Sequence, residues 1–169
     1  MTDHDADFLA AISAATHPEA AWRALEDLAA TVTGHRLFTV MTVDMEAGLA
    51  RRAYSSNQAA YPVSGTKPIH PDRWFDIVHG ERRSFVANTI EDIAGVFPDY
   101  ELIASLGCAS VHNLPVVLED DLVATINMLD AAGHYTPERV AAAEARLALP
   151  ARLCCALARY FDARAERPA

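Results

Sequence analysis

The chain has one lysine, three cysteines and no apolar run of membrane-spanning length, and each scarcity closes off a class of function. Its 14 lysines and arginines stand against 23 aspartates and glutamates, giving a formal charge of −9. Nucleic-acid binding rests on clustered cations that neutralise phosphates, so no nucleic-acid partner is expected. A membrane helix needs about 20 consecutive apolar residues, so no membrane partner is expected either. The N-terminus lacks the basic and apolar regions of an export leader. Cys154 and Cys155 are adjacent, and on a helix their side chains diverge by about 100°, which does not suit a disulfide. Cys108 stands apart from both. Unpaired thiols without an export signal lead us to expect a cytoplasmic protein.

Half of the residues (51%) are hydrophobic, enough to build one globular core without disulfide or metal staples. We read an N-terminal extension helix over 1–15, a single domain over 16–164 and a short tail over 165–169. A first helix is predicted from about Asp5 to Ala15. A second starts at Thr16, where Thr16 and Glu19 have capping-box spacing and Pro18 sits in the permissive first turn. Trp22, Leu25, Leu28, Ala29 and Val32 follow at helical intervals, and Gly34 stops the helix. Leu37 to Val43 and Leu49 to Ser55 read as strands joined by a turn at Met45–Gly48. That connection is too short for a crossover, so the pair is antiparallel.

Ser56 to Pro71 is rich in Pro, Gly, Ser and Asn and reads as a loop, long enough to suggest a functional lid. A helix from about Pro71 to His79 and a brief strand from Arg83 to Ala87 come next. Asn88 and Glu91 repeat the capping-box spacing, and Pro98 to Leu106 reads as another helix. Two apolar strands then flank an acidic tight turn at Glu119-Asp120-Asp121. Thr136-Pro137-Glu138 opens a long C-terminal helix reaching about Arg164. It carries a seam of Val140, Ala143, Leu147, Pro150, Cys154, Leu157 and Phe161 at coiled-coil spacing. Leu149, Leu153, Ala156 and Tyr160 form a second apolar stripe, facing either the N-terminal helices or another subunit.

This element order, with Gly107-x-x-Ser110-x-x-x-Leu114-Pro115-Val116 and then Ala124-Thr125-Ile126-Asn127-Met128-Leu129, resembles the GAF domain family over about Ala20 to Tyr160. The resemblance implies an α+β, GAF-like (PAS-like) fold. Its central antiparallel sheet has five or six strands, with the N- and C-terminal helices on one face. The Ser56–Leu106 segment folds over the other face and encloses a pocket. It further implies a sensory, ligand-binding module involved in signal transduction, often a homodimer through its terminal helices, whose message passes to a separate partner. The Asn-Lys-x-Phe-Asp-Glu signature of cyclic-nucleotide-binding members is missing. Cys108, between Gly107 and Ala109, lacks the neighbouring His of bilin-binding members. The cofactor is left unassigned.

Polar residues that interrupt apolar strands cost free energy unless partnered, which makes them candidate ligand contacts. Ser110 and His112 share one strand face, and Thr125 and Asn127 share a face of the next. If those faces coincide they form the pocket floor, with Asn113 on the opposite side; a bulge near Pro115 would invert the assignment. Tyr54 and Ser56 end the second strand, Lys67 lies in the lid, and Trp74 lies on the covering helix. The expected ligand-binding set is Tyr54, Ser56, Lys67, Trp74, Ser110, His112, Thr125 and Asn127. Lys67, with Arg51 or Arg52 assisting, could pair with a carboxylate or phosphate. Each also has a plain structural alternative: Lys67 as a solvated charge, Trp74 as core, His112 as a satisfied buried histidine. His70, Asp72, His79 and His112 show no metal-ligand spacing. No catalytic residue is assigned. The reading is a domain that binds a small polar or anionic metabolite. The alternative is a small thiol- or His-dependent enzyme of the same fold, such as one resembling the free methionine sulfoxide reductases, using Cys108 or His112.

Overall fold

In the computed structural model, which describes residues 3–166, two helices precede a six-stranded antiparallel sheet and a long helix follows it. The first helix, α1, spans Asp3–Ala14 and buries Phe8. Helix α2, Pro18–Val32, buries Ala21, Trp22, Ala24, Leu25, Leu28 and Ala29, the apolar stripe its spacing predicts. Its cap is His17 rather than Thr16. The His17 Nδ1 accepts from the Ala20 N–H at 3.4 Å, and Pro18 takes the first turn, where a missing N–H loses no bond.

Strands β1 (Leu37–Asp44) and β2 (Leu49–Ser55) pair antiparallel, and β3 (Ser64–Pro68) adds to the free side of β2. Part of the expected long loop is therefore an edge strand. Ser-Gly-Thr-Lys-Pro has little intrinsic strand preference, and its conformation follows from the pairing that β2 offers. Helix α3 (Arg73–Phe75) is capped by Asp72, which accepts from the Phe75 N–H at 2.8 Å, and it continues as a π-helical turn over Asp76–Gly80. Strand β4 (Phe85–Ala87) and the short helices α4 (Ile90–Ala94) and α5 (Tyr100–Ser105) complete the middle segment. Thr89, not Asn88, caps α4. Asn88 instead clamps the backbone of Tyr135, donating to its carbonyl at 3.0 Å and accepting from its N–H at 3.1 Å.

Strands β5 (Ser110–Leu118) and β6 (Asp121–Asp130) form the hairpin, and the sheet order is β3-β2-β1-β6-β5-β4. Glu119 and Asp120 both hold positive φ, 49° and 70°, as the tight two-residue hairpin turn demands. Leu118 pairs with Asp121 and Val117 with Leu122, but Val123 is then skipped and Val116 meets Ala124. That one-residue slip decides which side chains face which layer.

Helix α6 (Pro137–Ala165) lies with α1 and α2 on one face of the sheet. Phe38, Val40, Leu114, Ile126 and Met128 from the strands meet Leu25, Leu28 and Leu147 from the helices there. Small residues let α2 and α6 approach closely: the Cys154 thiol donates to the Ala21 carbonyl at 3.3 Å. Thr136 caps α6 as its sequence predicts, and Pro150 stands inside the helix. The second stripe of α6 is uncovered, with Leu149 64% and Tyr160 53% exposed. The middle segment packs on the other face of the sheet, around Leu37, Val111 and Leu129.

Candidate functional site

On the face away from the long helices, Thr39, Asn127 and Asn113 form one row across β1, β6 and β5. All three are buried. Their side chains satisfy one another in sequence. The Trp74 indole N–H donates to Asn113 Oδ1 at 2.9 Å, the Asn113 amide to Asn127 Oδ1 at 2.7 Å, and the Asn127 amide to Thr39 Oγ1 at 3.3 Å. The relay offsets the cost of burying amides in a sheet, and it pins the helix carrying Trp74 to the floor.

Above this row lies a cavity of ≈ 330 Å³, at the small end of the range for small-molecule sites. Leu37, Val111 and Leu129 line it from the sheet, and Phe75, Phe97 and Ile103 from the covering segment. The Arg52 guanidinium sits 4.7 Å from the centre of the Tyr61 ring and donates from Nη1 to the Pro62 carbonyl at 3.3 Å. The Tyr61 hydroxyl donates to Asp99 Oδ2 at 2.7 Å, and burial together with that carboxylate raises its pKa.

Of the side chains expected at the site, Trp74, Thr125 and Asn127 line this cavity. The Lys67 side chain lies outside the described residues. Ser56 accepts from the Phe38 N–H at 2.9 Å, closing the end of β1. Tyr54 points to the helical face and donates to Glu26 of α2; burial first, then that carboxylate, raises its pKa. Ser110 donates to the Ala131 carbonyl at 2.7 Å.

His112 lies on the helical face beside Tyr135, with ring centres 5.8 Å apart. Burial holds its pKa down to about 4, with Glu144 pulling weakly upward. Ser110 and His112 therefore do not share a floor with Thr125 and Asn127. The cause is the skipped Val123: continuing the pairing that the turn begins would set His112 opposite Asn127, and the slip sets Asn113 there instead. Asn113, Thr39, Tyr61 and Asp99 join the cavity wall without having been expected there. The signal for Asn113 was its place opposite Asn127 once a bulge is allowed.

Cys108 and His112 lie on opposite faces of the sheet and do not form one centre; of the histidines, His70 lines the cavity, as does Asp72. Cys108 belongs to the cluster on the cavity side of the sheet, and burial raises its pKa. Cys154 and Cys155 are packed in the helical layer, and burial pushes their thiols up to about 12. The sheet separates them from Cys108, and protonated thiols are poor nucleophiles. His112 cannot act as an acid or base in a cavity on the other face. Among the described residues, no group of three His, Cys, Asp or Glu is placed to hold a metal ion.

The GAF domain of a two-component sensor histidine kinase from Bacillus halodurans superposes with a TM-score of 0.67, covering 84% of this chain and 95% of that one at 10% identity. The fold is that of a GAF domain. The GAF domain of a phosphoenolpyruvate-protein phosphotransferase from Coxiella burnetii is similar over 97% of this chain and 99% of its own, with a TM-score of 0.65 and 13% identity. The chromophore-binding domain of a bacteriophytochrome from R. palustris has a TM-score of 0.66 at 12% identity, covering 95% of this chain and 61% of that one. Neither a protein-family model nor a curated protein matches the sequence. The GAF resemblance carried by the element order and the Leu114-Pro115-Val116 strand thus agrees with the fold. Among the described residues, no helix is long and apolar enough to cross a membrane.

Proposed function

We propose that this GAF-fold chain is a sensory domain that binds a small polar or anionic metabolite between its sheet and the segment running from β3 to α5. The observation that carries this reading is the cavity itself, with the Trp74–Asn113–Asn127–Thr39 relay on its floor. A relay that ties the covering helix to the sheet gives ligand binding a means of changing the cover. A signal requires a ligand to prefer one of two states, and the Trp74 anchor supplies the difference. Three unpaired thiols suit the reducing cytoplasm.

A metabolite screen by thermal unfolding tests the proposal. A ligand at one hundred times its Kd adds about 2.7 kcal/mol, which raises Tm by roughly 5–10 °C in a chain of this size. Flat melting curves across amino acids, nucleotides, keto acids and tetrapyrroles would count against it.

The same reading assigns the uncovered stripe of α6 to a second copy of the chain. Leu149, Leu153 and Tyr160 are all exposed there, an arrangement expected of a helix with a partner. Leu149→Glu should shift the chain from dimer to monomer in sedimentation equilibrium without changing its far-UV circular dichroism. A wild-type chain that sediments as a monomer at high micromolar concentration refutes the assignment.

A further inference from the structure

Two buried polar atoms of cavity-lining residues have no partner among the described residues. Arg52 Nε and Thr125 Oγ1 are buried without a hydrogen bond among the described residues, and both residues line the cavity. Each pairs with Met41, one from β2 and one from β6, so they lie in one row of the sheet about 10 Å apart at the backbone. The Arg52 side chain is held in place: its Nη1 is bonded to Pro62, its plane rests by Tyr61, and Tyr61 is fixed by Asp99. Its Nε–H is the buried donor left without an acceptor among the described residues. A buried donor left without an acceptor is costly, the more so when it carries charge. An acceptor brought by a ligand removes that cost.

The charge balance narrows the acceptor. Asp72 and Asp99 line the same cavity, and Arg52 is the only arginine or lysine among the described lining residues. Asp72 already accepts from the Phe75 N–H and Asp99 from the Tyr61 hydroxyl, whereas Arg52 keeps an unmet donor, so the one cation suits a ligand of a single negative charge. A phosphate dianion would call for a second cation or for the row of backbone N–H groups that phosphate sites provide. The remaining walls are largely aliphatic and aromatic, and a cavity of ≈ 330 Å³ suits a compact ligand.

Building on the ligand-binding reading above, we infer that the cavity takes a monocarboxylate with a compact apolar body. The carboxylate accepts from Arg52 Nε–H, and Thr125 Oγ1 meets a second polar atom of the same molecule. The apolar body fills the space between sheet and cover.

Calorimetric titration of the full chain with phenylacetate and 4-methylpentanoate, each beside its primary amide, tests this, with inorganic phosphate as a third probe. The acids should bind at least tenfold more tightly than their amides, and phosphate should not bind. Arg52→Gln should weaken the acids about 10- to 100-fold and leave the amides unchanged. Thr125→Val, nearly isosteric, should weaken the acids by a smaller factor, and it gives a second reading should Arg52→Gln misfold. Amides that match the acids, acids that bind Arg52→Gln and Thr125→Val unimpaired, tighter binding of phosphate, or no binding of either acid would each overturn the inference. The environment-sensitive dye ANS separates the two levels. If the acids fail while ANS or the amides bind competitively at the Trp74 side of the sheet, the cavity reading survives alone. If nothing enters, both fall.

Discussion

Acidifying the protein from pH 7 to pH 4 should cost about 3 kcal/mol through His112 alone. The folded chain holds this imidazole neutral, with a pKa near 4, whereas the unfolded chain releases it to the ordinary value near 6.5. Between these two pH values the unfolded state binds the extra proton. The contribution is therefore whole above about pH 6.5, falls by about 1.4 kcal/mol per pH unit below it, and is gone near pH 4. Carboxylates titrate over part of this window, so the comparison must be with His112→Leu, which lacks the imidazole and keeps an apolar side chain of similar size. Urea midpoints at pH 7.0, 5.5 and 4.0 should show the wild type losing stability relative to the variant. At pH 7 the variant should equal or exceed the wild type, because neither ring nitrogen of His112 has a partner among the described residues. Parallel curves for the two proteins would refute the burial argument.

Asn127→Leu should destabilise the fold by about 3 kcal/mol, a fall in Tm of roughly 6–12 °C. Asn127 is the middle of the relay, accepting from Asn113 and donating to Thr39. Its loss strands both neighbours in a buried layer, where an unmet polar group costs far more than a made bond returns. The effect should not add to that of Asn113→Leu. The double variant removes two facing amides together and replaces them with packed hydrocarbon, so it should be less damaging than the two single losses combined. A double-mutant cycle by urea unfolding reads this coupling directly, and additive losses would mean that the amides do not act as a unit. Asn113→Leu also deprives the Trp74 indole of its acceptor, so Trp74 fluorescence should shift in that variant.

Much of this fold was legible from the chain. The amphipathic spacing of α2, the Thr136 cap of α6 and the hairpin around Glu119 and Asp120 follow from local chemistry that tertiary packing did not override. The β3 strand was not legible, because its residues take their conformation from the neighbour they bond to. The site was half legible. Polar interruptions in β5 and β6 correctly pointed to the strands that carry buried amides. Period-two alternation could not choose between His112 and Asn113, since both are polar and adjacent. Only the skipped Val123 decides it, and a bulge one residue long leaves little trace in a run of Leu, Val and Ala. Arg52 was visible only as an assistant to Lys67. Its buried Nε and its seat beside Tyr61 depend on how β2 crosses the cavity mouth, which sequence spacing does not encode.

The two margins of the sheet bear on how this chain behaves in a crowded solution. One margin, β3, is five residues long and ends in Pro68, which has no N–H to offer; the other, β4, has only three residues. Neither is a long template on which a foreign backbone can build ladder after ladder. Growth into cross-β ribbons is thereby discouraged at both ends.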